Sequence, residues 1–269
     1  MGEDAGGAWA GGDATPRATC VLAPNPGAMT LEGTNTWVLS EPGSARAVVV
    51  DPGPDHPGHL ERIRTALARR RTRLAAVLLT HSHLDHTEAA ERVAAEAGVD
   101  VHAASTWTDG EELDVEGLHL VVLRTPGHTA DSVCFALPAD RALLTGDTVL
   151  GRGSTVLAED GSLTDFLATL DRLSALAHPT PERPALDVLL PGHGPLVRDP
   201  AAVLEQYRAH REERLQQVRD ALAAGAGSLA DVVARVHPGL DPALQRAATW
   251  SVRAQLLHLG VELPAQHGC

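Results

Sequence analysis

The chain contains no lysine: all 22 of its basic residues are arginine. That absence removes phosphate-loop lysines, pyridoxal Schiff bases and lysine nucleophiles, each of which needs an amine at a defined place. Aromatic side chains are also scarce, with two Phe, four Trp and one Tyr in 269 residues, so stacking platforms for nucleic-acid bases are few. Only three cysteines occur, Cys20, Cys134 and Cys269, too far apart and too few for a disulfide framework or a CxxC metal or redox site. No segment approaches the run of about 18 apolar residues that a membrane span requires. The N-terminal MGEDAGGAWAGGDATPR has neither a basic nor an apolar signal region, so a soluble, cytoplasmic protein is expected. Positive charge is itself in deficit. The 35 acidic residues leave a formal net charge of -13, which disfavours a broad phosphate-binding footprint. The densest basic run, RIRTALARRRTRL from Arg62, reads as the solvated face of a helix entering a strand.

What the chain does have is a series of short aliphatic runs. They recur at 35–39, 46–51, 74–80, 99–103, 118–125, 132–137, 141–147 and 186–192, and several lack polar alternation, as strands covered on both faces do. Helical patterns intervene near 57–70, 86–97 and 164–177. This mixture predicts an α/β sandwich over 18–198, preceded by an unstructured stretch at 1–17. Beyond Val197 the strands stop. Asp199-Pro200, Ser228 and Asp241-Pro242 carry helix-start signals, so 199–269 is expected to form a small helical domain.

LAAVLLTHSHLDHTEAAERV (74–93) places three histidines and an aspartate directly after an apolar strand. His81 and His83, two apart at a strand end, project to one side of an extended chain and can share a cation. Asp85 and His86 follow at the turn into a helix and can hold a second one. Imidazole and carboxylate suit zinc, and a site that leaves one position for water is catalytic. Three more such residues leave strand ends: His128 in TPGH, Asp147 in TGD and His193 in PGHGP. Seven convergent groups would supply two three-ligand sites and one bridging carboxylate.

HSHLDH, TPGH, GD and PGHGP together resemble the metallo-β-lactamase superfamily of αββα-sandwich hydrolases over most of 20–262. NPGAMTLEGTNTWVL, GDTVLGRGSTV and EQYRAHREERLQQV resemble in particular the β-lactamase-like protein 2 branch, which carries a C-terminal winged-helix-like domain. The resemblance implies two zinc ions, with manganese or iron as substitutes. His81, His83 and His128 would hold the first ion, Asp85, His86 and His193 the second, and Asp147 would bridge them. Asp51 would support the site from behind. A metal-bridging hydroxide would attack the substrate, with Asp85 orienting it or relaying its proton.

Relatives of that branch include fungal thioesterases and an animal single-stranded-RNA endoribonuclease. Hydrolysis of a small ester or thioester is the favoured expectation, because acidity and scarce aromatics count against RNA. An iron-dependent persulfide dioxygenase, which shares HxHxDH, and a non-catalytic binding module are further alternatives. Gly33, Thr34 and Asn35 form a polar turn expected near the substrate, and His210 and Arg211 could reach the site from the first helix of the C-terminal domain. The remaining histidines, His56, His59, His102, His119, His178, His237, His258 and His267, are read as structural or surface residues, and Trp37 and Trp107 as core.

Overall fold

Alternate residues of RAVVV enter different apolar clusters: Val48 and Val50 join one, Ala47 and Val49 another. A strand buried on both faces needs no polar alternation, and this one lies between a second sheet and a layer of helices. The computed structural model describes residues 9–181 and 183–262. Its first sheet runs in sequence order through β1 (Gly12–Asp13), β2 (Ala18–Leu22), β3 (Asn35–Leu39), β4 (Arg46–Val50), β5 (Arg73–Leu78) and β6 (Val101–His102). The second contains β7 (Glu112–Val115), β8 (Leu118–Arg124), β9 (Val133–Leu137), β10 (Ala142–Gly146) and β11 (Val188–Pro191), with β11 and β7 at its edges.

Trp37, Leu39, Val50 and Leu78 of the first sheet meet Leu118, Leu120, Phe135 and Leu144 of the second to form the central core. Helices α1 (Pro57–Arg69) and α3 (Ala90–Ala97) cover the outer face of the first sheet through Leu60, Ile63 and Val93. Helices α4 (Leu163–Ala177) and α5 (Pro200–Ala223) cover the second through Phe166, Leu170, Leu204 and Tyr207. The result is the expected αββα order. Trp37 and Trp107 are core residues, with 2% and 4% of their surface exposed.

Strand direction decides where the functional residues emerge. β4 and β5 pair in parallel, as do β10 and β11, so within each pair the C-terminal ends share an edge. β8 is antiparallel to β9 and β9 to β10, which makes β8 parallel to β10. Asp51, His81, His128, Asp147 and His193 all follow the C-terminal ends of these five strands. The four-residue helix α2 (Leu84–Thr87) adds Asp85 and His86.

The C-terminal segment is helical, with α5, α6 (Leu229–Val236) and α7 (Gln245–His258). Asp199 and Ser228 cap α5 and α6 as expected, each accepting a backbone N–H three residues on. At Asp241-Pro242 the chain makes a 3-10 turn, and α7 starts only at Gln245. The wing of the expected winged-helix form has no counterpart among the described residues, since no strand follows β11. The boundary expected at 198/199 is also blurred. Leu204, Tyr207 and Leu215 of α5 belong to the cluster under the second sheet, whereas Val218 and Ala221 pack with α6 and α7.

The N-terminal expectation needs correction as well. Trp9 Nε1 donates to Asn35 Oδ1 at 2.8 Å, β1 pairs with β2, and Arg17 lies 2.6 Å from both Glu41 and Asp140. These long-range contacts give residues 9–17 structure that composition did not announce. Residues 1–8, His267 and Cys269 lie outside the described residues. No helix among the described residues is long and apolar enough to cross a membrane.

Candidate metal centre

Asp51 follows β4 with φ 51°, a left-handed conformation that is uncommon for a non-glycine residue. Its carboxylate justifies the strain. Oδ1 accepts the Thr80 N–H at 2.8 Å, while Oδ2 accepts the Thr80 hydroxyl at 2.7 Å and lies 2.9 Å from His86 Nδ1. The ends of two parallel strands are thereby tied to the first helical turn after HSHLDH. Thr80 also places its hydroxyl 3.0 Å from His81 Nδ1.

Two groups of donor atoms result. His81 Nε2 and His128 Nε2 each lie 3.1 Å from His83 Nδ1. His86 Nε2 and His193 Nε2 are 3.2 Å apart, with Asp85 Oδ2 at 3.2 Å from His193 and 3.7 Å from His86. Asp147 stands between the groups: Oδ1 is 3.4 Å from His86 Nε2, and Oδ2 is 3.4 Å from His193 Nε2 and 3.8 Å from His128 Nε2. Asp51, His81 and His86 also lie close together, but both oxygens of Asp51 are already engaged.

These spacings fit metal ions. Zinc–nitrogen distances near 2.0–2.1 Å imply a donor–donor edge of about 3.3 Å in a tetrahedral site. The nitrogens that do not face the clusters are held elsewhere. Besides His81 Nδ1 on Thr80 and His86 Nδ1 on Asp51, His128 Nδ1 lies 2.6 Å from the Val156 carbonyl and His193 Nδ1 lies 3.1 Å from that of Gly33. The carbonyl partners require N–H on the outer nitrogens of His128 and His193, which leaves a lone pair facing inward when the ring is neutral. Asp147 Oδ1 is buried and has no hydrogen-bond partner despite its nearness to His86. An unsatisfied buried carboxylate oxygen among imidazoles is what a cation would satisfy.

Without metal, the centre holds opposed charges. Burial works against ionisation of Asp147, yet His193 and His86 outweigh it and keep the carboxyl well below its ordinary range. Burial likewise disfavours the charged form of His86 and His193, but Asp147 prevails, raising His86 well above its usual value and His193 to about 9. Burial lowers His81 and His128, helped at His81 by the adjacent His86.

The backbone is fitted to this cluster at glycines. A Cβ on Gly192 would lie 2.6 Å from Asp147 Oδ1 and 2.7 Å from His86 Cε1. At Gly33, φ is +139° and a Cβ would come within 2.0 Å of the Ala23 carbonyl oxygen.

Gly33, Thr34 and Asn35, expected near the substrate, are buried beside His193. Gly33 accepts from His193, Thr34 forms a bridge with it, and Asn35 Nδ2 donates to the carbonyls of Pro191 and Gly194. This turn fastens the loop that carries His193. His210 and Arg211 lie outside the donor clusters. Arg211 is 3% exposed, sits over the Phe166 ring at 4.8 Å and donates to the Thr155 carbonyl, one residue before the partner of His128.

Sequence reading missed Thr80, Val156 and Tyr207, whose hydroxyl accepts the Leu150 N–H at 2.8 Å. Thr80 could have been found from its place directly before HSHLDH. Val156 acts through its carbonyl, which any residue supplies.

An αββα sandwich with seven metal-capable side chains at one edge defines the class of metal-dependent sandwich proteins. Residues 29–109 and 104–209 match the family model of the metallo-beta-lactamase superfamily, and the chain belongs to that superfamily. It is similar to an atrochrysone carboxyl ACP thioesterase of Aspergillus chevalieri, 33% identical over 241 residues, covering 83% of this chain and 74% of the relative. It is similar also to lactamase-like protein vrtG of Penicillium aethiopicum, 34% identical over 219 residues, covering 78% and 67% respectively. A beta-lactamase domain protein from Burkholderia ambifaria shares the fold with a TM-score of 0.76 at 22% identity, over 96% of this chain and 90% of that one.

Proposed function

We propose that the chain is a dinuclear zinc hydrolase that cleaves a thioester or a small ester. The observation that carries this reading is the paired donor geometry, with Asp147 within 4 Å of imidazoles from both groups. Bound zinc ions would lower the pKa of water into the neutral range and polarise the carbonyl under attack. His81, His83 and His128 would hold one ion, Asp85, His86 and His193 the other, and Asp147 both. Asp51 orients His86 by accepting from Nδ1. Asp85, whose side chain is 31% exposed, is more open than Asp51 or Asp147, which supports a role in orienting a water and taking its proton.

Similarity to proteins named as ACP thioesterases supports the thioester over other acyl compounds. RNA is disfavoured. Trp37, Trp107, Phe135, Phe166 and Tyr207 are buried, leaving only Trp9 and Trp250 partly accessible for stacking. Helices α5 to α7 are proposed to wall the substrate cleft.

The test is a panel of acyl thioesters, lactones, β-lactams and single-stranded RNA, run on wild type and His83→Ala. Thioester turnover that is metal-dependent, lost in the variant and little affected by salt supports the proposal. Fast RNA cleavage lost in the same variant, with a salt slope of about 0.7 per neutralised phosphate, would replace it with the nuclease reading.

A further inference from the structure

A cavity of about 200 Å³ lies between the 154–156 loop and helices α5 and α7. One wall carries His210, Arg211, Arg214 and His237; the other is apolar, with Leu244 and Ala248 among its residues. No Asp or Glu lines the cavity, and the acid felt at this wall, Glu213, acts on His210 more weakly than burial and the two arginines do. Seven other arginines pair with carboxylates among the described residues, yet Arg211, though almost fully buried, pairs with none, nor does Arg214. Burial lowers the Arg211 pKa only to about 10, so the guanidinium stays charged at neutral pH. A buried cation without a counter-charge is costly, and a chain with 35 acidic residues could readily supply one.

The unmet hydrogen-bonding capacity points the same way. Arg211 Nε, His210 Nδ1, His237 Nε2, Gln255 Oε1 and Ser154 Oγ are all buried without a partner, and all five residues line this cavity. Arg211 and Gln255 are 3% and 2% exposed. Burial lowers the pKa of both His210 and His237, so these rings serve as neutral hydrogen-bonding groups beside the guanidinium.

We propose that this cavity binds a carboxylate borne on a short apolar body, with Arg211 as its counter-charge and the Leu244–Ala248 wall covering the apolar part. A planar carboxylate suits a guanidinium edge whose Nε–H is free. The volume is that of about seven waters, enough for a benzoate-sized group. The occupant would be felt at the metal centre. Arg211 holds the Thr155 carbonyl, the Thr155 hydroxyl lies 3.2 Å from His128 Nδ1, and the next carbonyl, that of Val156, lies 2.6 Å from the same nitrogen. Two sources supply such a carboxylate: the far end of a dicarboxylic thioester, which rests on the proposed hydrolase reading, or a free acid.

Calorimetric titration of the zinc-loaded full-length protein with benzoate tests the site independently of any turnover. Benzoate should bind at least about tenfold more tightly than neutral benzamide or inorganic phosphate. Ala248→Phe, which fills the cavity from its apolar side, should abolish binding, and so should Ser251→Leu at the same cavity if the phenylalanine variant fails to fold. Arg211→Gln should weaken benzoate by about tenfold while leaving benzamide unchanged. Equal binding of benzoate and benzamide, binding that survives the folded cavity-filling variant, or no benzoate binding up to about 20 mM would overturn the proposal.

The source is then read from glutaryl and pentanoyl thioesters of N-acetylcysteamine. A KM about tenfold lower for the glutaryl compound, lost in Ala248→Phe, identifies the substrate's own carboxylate. Equal KM values with turnover altered by benzoate identify a free acid. Failure to hydrolyse either thioester would count against the hydrolase reading and leave the calorimetric result standing.

Discussion

His86 Nε2 lies 3.2 Å from His193 Nε2 although 107 residues separate them in the chain. They leave different sheets, His86 after β5 and His193 after β11, so their meeting closes the sandwich at its functional edge. Each ring is held from behind, by Asp51 and by the Gly33 carbonyl. In the metal-free protein Asp147 keeps both rings protonated at neutral pH, with His193 titrating at about 9.

Metal uptake at pH 7 should therefore release protons, about two per chain when both sites fill. Calorimetry in buffers of different ionisation enthalpy measures this directly. The same raised values stabilise the metal-free fold below about pH 6.5, and that contribution is lost as pH rises through about 9. Uptake without proton release would show that the imidazoles are already neutral.

Asp147→Ala should weaken both sites together and lower turnover by about 100-fold or more, because its oxygens face imidazoles of both groups. Metal analysis and thioester kinetics on the purified variant check this. Full turnover with two metals bound would remove the bridge assignment.

His59 provides a pH test away from the metal groups. It is fully buried with Nε2 2.9 Å from the Thr36 hydroxyl, and burial pushes its pKa down to about 4. The unfolded chain takes up this proton near pH 6.5, so stability present above that pH falls as the solution is acidified toward 4. The gap corresponds to roughly 3 kcal/mol. Urea unfolding of wild type and His59→Gln between pH 7 and 4 should show a steeper loss in wild type. Identical slopes would mean that His59 is protonated within the fold.

Tyr207→Phe should destabilise the protein by about 1–3 kcal/mol, since it leaves the buried Leu150 N–H unpaired. Thermal unfolding reads this loss, and an unchanged melting temperature would show that the backbone finds another acceptor. The same contact alters the meaning of truncation. The sequence marks 199–269 as a small helical domain, but cutting at its start would also strip Leu204 and Tyr207 from the cover of the second sheet.

The donor set was legible because chemistry restricts it to few residue types and strand ends repeat its placement. His81, His83 and His128 form one group of donor atoms within 4.8 Å of one another, Asp85, His86 and His193 another, and Asp147 lies within 4 Å of His86, His128 and His193. β4, β5 and β10 were legible from apolar runs. β1 has only two residues, and β7 alternates at a sheet edge, so neither carries a strong apolar signal. The role of Gly33, Thr34 and Asn35 in fastening a loop was not legible, because a polar turn beside a site has the same composition whether it approaches substrate or holds a neighbouring segment. Only their pairing with His193 and the 191–194 carbonyls distinguishes the two. The cavity beside Arg211 was invisible for a related reason: its walls come from three separate segments of chain.

The most direct test of the central claim is a zinc titration of metal-free protein, following bound metal by elemental analysis and hydrolysis of an acyl-N-acetylcysteamine thioester in the same samples. Two zinc ions per chain should bind, with full thioester turnover reached only as the second is taken up. One iron per chain, with oxygen consumption and no thioester turnover at any zinc level, would contradict it.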